Sequence, residues 1–174
     1  KRKNLFLNYH TKLKYETLDK RYFPTKGLKT NISYTIYTNL HTNTAYSSLA
    51  AQVTKIFPIT LNTFIIPTIY GRFIFNDGIP FMYSNVIGGE GYNPHYEQQI
   101  PFSGLTHTES TLKLLGNAQI QVRHKFHEKQ YLTLSGNYAI HQNQFSNFLQ
   151  GKKIYGTSIG YGYDSPLGPI EGFI

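Results

Sequence analysis

The feature that most constrains this chain is alternation. From Leu5 one face reads Leu5, Leu7, Tyr9, Thr11, Leu13, Tyr15 and Thr17, and the other reads Phe6, Asn8, His10, Lys12, Lys14 and Glu16. A side-chain period of two, held this long, is the signature of an extended strand with one apolar and one polar face. It returns after Gly27, with Leu28, Thr30, Ile32, Tyr34, Ile36 and Thr38 on one side and Lys29, Asn31, Ser33, Thr35, Tyr37 and Asn39 on the other. Strands in soluble domains are usually ~5–6 residues long. Strands twice that length favour a membrane barrel over a sandwich.

The rest of the chain extends the pattern. Strands are predicted over Tyr46–Phe57, Leu61–Phe75, Leu114–Lys125, Tyr131–His141 and Ile154–Tyr163, and Ile170 starts an eighth. Pro67 predicts a bulge in the fourth. Short turns (17–27, 57–60, 127–130, 163–169) alternate with longer loops (40–45, 76–110, 142–152). Tight turns at one rim and long loops at the other are the asymmetry of an outer-membrane barrel. Its apolar stripe faces lipid, where every backbone polar group must find a partner within the sheet. No segment carries an apolar 3.6 repeat, so the fold class is all-β, an antiparallel transmembrane barrel.

Composition bounds the function. No apolar run approaches the ~18 residues of a membrane helix, and Lys1-Arg2-Lys3 leads into alternation, not the apolar block of a signal peptide. Cysteine is absent, which removes disulfides, thiol nucleophiles and thiolate metal sites. Tyr (15) and Phe (12) supply the aromatic content, and Tyr suits a boundary between dry and wet surroundings. The net charge of +8 fits a solvated surface, an anionic membrane or nucleic acid. Nucleic acid is set aside because Lys and Arg are spread along polar stripes and turns, not clustered with stacking aromatics.

The catalytic inventory is poor. There is no Gly-x-Ser-x-Gly elbow, no Walker loop and no His-Glu-x-x-His. Asp19, Asp77 and Asp164 all fall at turns or loops, where a carboxylate takes local backbone N–H groups. His124 and His127, three apart in a strand, point to opposite faces, and His95 and His107 share only the long loop. Gly88-Gly89-Glu90-Gly91 resembles a phosphate loop in composition, but no helix follows it. No catalytic, cofactor or metal residue is assigned.

Three blocks then carry a resemblance. "YETLDKRYFPTKG" (residues 15–27) resembles the strand–turn–strand signature of the BamA/TamA superfamily of outer-membrane barrels, the bacterial surface antigen domain. "IPFMYSNVIGG" (79–89) resembles the entry to that family's sixth extracellular loop, and "YDSPLGPI" (163–170) the turn before its penultimate strand. The resemblance covers almost the whole chain, in the family's order. It implies that residues 1–174 are a partial barrel, strands eight to fifteen of about sixteen, in a bacterial outer membrane. The expected partners are membrane lipid, the missing half of the same barrel and an N-terminal periplasmic or phospholipase domain. Asp19, Phe23, Pro24 and Gly27 are expected to shape one turn, and Ser165, Pro166, Gly168 and Pro169 another. The family's assembly factors carry an Arg-Gly-Phe/Tyr motif on the sixth loop. Here no Arg occurs between Phe73 and Arg123, and "EQQIPFSGL" (97–105) stands in its place.

That variant resembles the barrel appended to bacterial patatin-like phospholipases, in which a separate Ser–Asp domain hydrolyses lipid. An anchor or translocator of that kind is the first functional reading. A BamA/TamA-type assembly or translocation factor is the second, and a soluble lipocalin-like binding barrel the third. Two structural expectations follow. Leu28, Ile32, Tyr34 and Ile36 should face outward, and Lys29, Asn31, Ser33 and Thr35 inward. The extracellular loop, from Gly88 and Gly89 through Glu90, Tyr92, Tyr96, Glu97 and Ile100 to Leu105, should fold into the lumen, because its Tyr, Ile, Phe and Leu side chains would otherwise be solvated. Its inferred pin is Pro101-Phe102 near Gly104.

Overall fold

The computed structural model describes residues 5–76, 78–88, 98–105 and 109–174. Long strands follow the alternation: β1 (Phe6–Glu16), β2 (Gly27–Asn39), β3 (Thr44–Pro58) and β4 (Thr63–Ile74). Three short ones interrupt them, β5 (Val86–Ile87), β6 (Gln99–Ile100) and β7 (Glu109–Ser110). β8 (Leu114–His127), β9 (Gln130–Gln142), β10 (Lys152–Ser165) and β11 (Gly168–Phe173) complete the chain. Eight of these form one sheet in the order β1-β2-β3-β4-β8-β9-β10-β11. Every neighbouring pair is antiparallel. The sheet is open: among the described residues β1 and β11 each pair on one side only.

Registers correct two expectations. Pro67 makes no bulge. The β3–β4 pairs Thr54↔Thr68 and Phe57↔Ile65 share one register, and the ladder merely lapses between them, beside the proline that lacks an N–H. The shift lies instead at Lys125/His127 in β8, just before the hairpin to β9. The last hairpin is tighter than the 163–169 span suggests: Ser165 pairs with Gly168 around Pro166-Leu167, and Pro169 already lies in β11 opposite Asp164. The long loop also has structure of its own, because β5 pairs parallel with β6 and antiparallel with β7.

The sheet inverts the usual distribution of polarity. On β9, Tyr131, Thr133, Ser135, Asn137, Ala139 and His141 are all buried, while Leu132 and Leu134 are 48% and 55% exposed. On β2, Thr35, Tyr37 and Asn39 are buried and Ile32 and Tyr34 are exposed; Leu28 and Ile36, on the same side as Ile32, are half-buried. Leu7, Tyr9, Leu13, Ile69, Ile120, Tyr155 and Ile159 continue the exposed apolar face across the sheet. Such a face is stable only against hydrocarbon or another apolar surface. No helix among the described residues is long and apolar enough to cross a membrane, which bears on helical spans alone. The sheet curls around its polar face: Phe23, between β1 and β2, stacks on Tyr131 of β9, four places along the sheet from β2.

Candidate functional site

The polar face carries a loop, and one cation organises its near end. Alternation puts Arg72 on the polar stripe of β4, opposite Ala50 on β3 and Leu115 on β8. Arg72 is 3% exposed. Within the wall it donates to the Tyr37 hydroxyl and Ser48 Oγ, both at 3.3 Å. On the loop it donates to Asn85 Oδ1 and, at 3.3 and 3.4 Å, to the Tyr83 carbonyl. Asn85 is fully buried and passes the connection on, its Nδ2 donating to the Leu112 and Lys113 carbonyls at 2.8 and 2.9 Å. The Tyr83 ring lies 4.3 Å from Tyr37 and 5.2 Å from Phe6. Planar, many-donor Arg suits such a junction, since one Lys could not reach four acceptors in fixed directions.

Beyond this junction the loop is held by apolar packing. Ile87, Ile100 and Phe102 cluster with Leu115 and Ala139 of the wall, and Tyr70, Leu105 and Ile154 flank them. Phe102 is fully buried. Gly156, on the inward stripe of β10, receives it: a Cβ there would overlap the Ser103 carbonyl and come within 2.7 Å of the Phe102 ring. Gly104 has φ +83 and lies over the same stretch, 3.4 to 3.5 Å from Thr157 and Gly156 backbone atoms by its notional Cβ. Pro101 is half-buried, and Gly88 is buried, its N–H donating to the Ile100 carbonyl at 3.0 Å. Gly89, Glu90, Tyr92, Tyr96 and Glu97 lie outside the described residues, as do His95, His107 and Asp77.

At the opposite rim the β1–β2 turn folds over the same face. The Asp19 carboxylate accepts from the Thr25 N–H at 2.8 Å, the Lys26 N–H at 3.2 Å and the Thr25 hydroxyl. Burial opposes its ionisation, but these hydrogen bonds outweigh that and hold the carboxyl below its ordinary value. Gly27 has φ +124, and a Cβ there would lie 2.5 Å from the Thr17 carbonyl, so no other residue fits. Phe23 is non-glycine at φ +44, a left-handed conformation the surroundings must hold in place. They do: its ring stacks on Tyr131 at 4.2 Å and 5°, Arg123 lies 5.5 Å over it, and Gly162 leaves room beneath it. Arg123 also donates to the Pro24 carbonyl at 3.5 Å. In the last hairpin Ser165 Oγ donates to the Gly168 carbonyl, and Gly168 has φ +128.

Sequence reasoning named Phe102 and Gly104 but missed Arg72, Tyr83 and Asn85. Alternation does mark Arg72 as a cation on the polar face, at the base of the loop. What it cannot mark is the partner, Asn85, which sits in a stretch with no periodicity. Among the described residues no three His, Asp or Glu side chains converge as metal ligands, and His124 bonds to Thr63 Oγ1 at 2.9 Å.

Long membrane-length strands, an apolar outer face, a polar inner face and a loop seated upon it describe an outer-membrane barrel wall. The family model of the OMP85 superfamily matches residues 2–174. The chain belongs to the OMP85 superfamily. This agrees with the BamA/TamA-type resemblance, and it decides against a lipocalin-like soluble barrel. OMP85 superfamily members are outer-membrane proteins, which supports an outer-membrane location. A search of curated proteins finds no match.

Proposed function

We propose that this OMP85 barrel wall is the membrane anchor and translocator portion of a patatin-like phospholipase-type protein of a bacterial outer membrane. The supporting observation is how the loop is held. Assembly factors carry an Arg on the loop itself, whereas here the cation stands on the wall, at Arg72, and the loop contributes Asn85, a carbonyl and the apolar Phe102. A barrel of this kind contributes no nucleophile; it completes its lumen with the remaining strands and tethers a separate hydrolytic domain. The full-length protein, purified from outer membranes, is expected to release fatty acid from phospholipid vesicles. Lack of hydrolysis, with tandem periplasmic repeats upstream of the barrel, would sink this reading.

A second reading is an assembly or translocation factor. The Asp19–Gly27 turn supports it equally, since that block resembles the whole superfamily. Its expected outcome is a fall in the level of other outer-membrane barrels when the protein is depleted.

A further inference from the structure

The outward, apolar face of the sheet holds a groove of about 660 Å³. Ala118 of β8 and Gly136 of β9 form its floor, and Ile69, Ile120, Tyr138 and Tyr155 stand around them. The registers keep these residues together. Ile69, Ala118, Tyr138 and Tyr155 form one row across β4, β8, β9 and β10, and Ile120 pairs with Gly136 in the next. A Cβ on Gly136 would meet nothing within 4 Å, so the hollow is open space.

One row nearer the rim of the long loops stand Gly116, Ile140 and Lys153. There the chain covers its own wall. The loop of residues 143–151 lies against the outward face: the Phe148 ring is 3.0 Å from where a Gly116 Cβ would stand, and Phe145 packs on Phe73 at 5.5 Å. Leu114 and Ile140 are buried at this level, whereas Ile69 and Tyr155, in the row of Ala118, are 68% and 71% exposed. The protein's own apolar cover therefore stops at Phe148, and the groove begins where it stops.

Charge above the groove selects what continues that cover. Lys153 shares the outward face of β10 with Tyr155, two residues or about 7 Å nearer the rim, and Lys152 adjoins it. Both are exposed, neither makes an ion pair among the described residues, and residues 143–153 contain no Asp or Glu. The Tyr138 and Tyr155 rings, 5.2 Å apart, mark the level at which aromatic girdles divide hydrocarbon from headgroups. Below that level the groove takes hydrocarbon, and above it the lysines take an anion. A neutral lipid would leave the lysines unanswered, and free phosphate would leave the groove empty. A second copy on the same two-fold face would bring its own lysines to the same rim, against charge repulsion.

We propose that this groove is a binding site for an acidic, phosphate-bearing lipid of the outer leaflet. One acyl chain lies over Ala118 and Gly136 below Phe148, and the phosphate lies at Lys152 and Lys153. The site depends on the barrel alone and is independent of whether the protein carries a phospholipase domain.

The test is native mass spectrometry of the full-length protein, delipidated in detergent micelles and titrated with diphosphoryl lipid A, its dephosphorylated form and inorganic phosphate. Diphosphoryl lipid A is expected to bind at least ~10-fold more tightly than either of the others, because each of those answers only half of the site. Lys153→Gln should weaken it about 5-fold, as expected for one cation at a membrane surface, and leave the dephosphorylated form unchanged. Gly136→Leu, which fills the groove, should weaken both lipids, while Leu132→Phe, four residues along β9 on the same face, should weaken neither. Lys153 is exposed, so its substitution tests the site even if Gly136→Leu fails to fold. No binding of diphosphoryl lipid A, equal affinity for its dephosphorylated form, or an affinity indifferent to Lys153→Gln would each overturn the proposal. So would a dimer mass that Gly136→Leu abolishes, which would assign the groove to a second copy.

Discussion

Asp19 and Gly156 show what single positions do in this wall. The Asp19 carboxyl is held below its ordinary value by hydrogen bonds that exist only in the folded turn. Its contribution is therefore fully present above the unfolded carboxylate value and is lost as pH falls through the folded one. Unfolding of the full-length protein in urea should show a stability loss on acidification that Asp19→Asn reduces; an identical acid profile in the variant would contradict the role given to the turn. Gly156 makes the opposite kind of demand, for empty space. Gly156→Val drives two methyl groups toward the Ser103 carbonyl and the Phe102 ring, so the loop must leave its seat. Phe102→Ala empties the same seat from the other side, at about 3–5 kcal/mol if the contact persists as a packed core. Protease sensitivity of the loop on intact cells should rise in both variants and stay unchanged in Gly136→Ala, where a Cβ meets nothing. The turn residues could be named from sequence because each has a local preference: Asp as acceptor, Pro for fixed φ, Gly for positive φ. Phe23 was named only through the resemblance, since nothing local announces that its ring reaches Tyr131.

At the scale of the element, the long strands were readable because one period governs them from end to end, and a one-residue slip would expose every polar side chain on the wrong face. The loop was not. β5, β6 and β7 are two residues each, too short for a period to register, and the β5–β6 pairing is parallel, between segments whose intervening residues give no signal. Pro67 misled for a physical reason. Proline removes a donor, which can be met by a bulge or by a gap in an otherwise straight ladder, and the sequence does not distinguish the two. The face assignment yields a direct comparison on β2. Ile32→Lys, on the apolar side at mid-strand, should cost about 2–4 kcal/mol in a bilayer, while Asn31→Lys, on the polar side, should cost little. Equal losses in folding of the complete barrel into lipid vesicles would reverse the assignment of outside and inside.

The whole molecule is an open sheet curled around a polar face, fastened near both rims by groups that come from between the strands. At one rim Phe23 and Pro24 reach Tyr131 and Arg123, and near the other Tyr83 and Asn85 reach Arg72. These contacts link β2 to β9 and the loop to β2, β3 and β4, none of which backbone pairing alone connects. Their consequence is for passage through the lumen. Arg72 is buried with neutral partners, so removing it costs both its hydrogen bonds and the desolvation already spent on those partners. Asn85 has a second anchor in the Leu112 and Lys113 carbonyls, so Asn85→Ala alone should free the loop less than Arg72→Ala. The two changes act on one contact and should not add. In planar bilayers the full-length protein is therefore expected to conduct weakly, Arg72→Ala to conduct more, and Arg72→Ala with Asn85→Ala to conduct about as much as Arg72→Ala alone. Additive increases would mean that the two residues hold the loop independently. No increase with Arg72→Ala would mean that Phe102 in its glycine-lined seat suffices to keep the lumen closed.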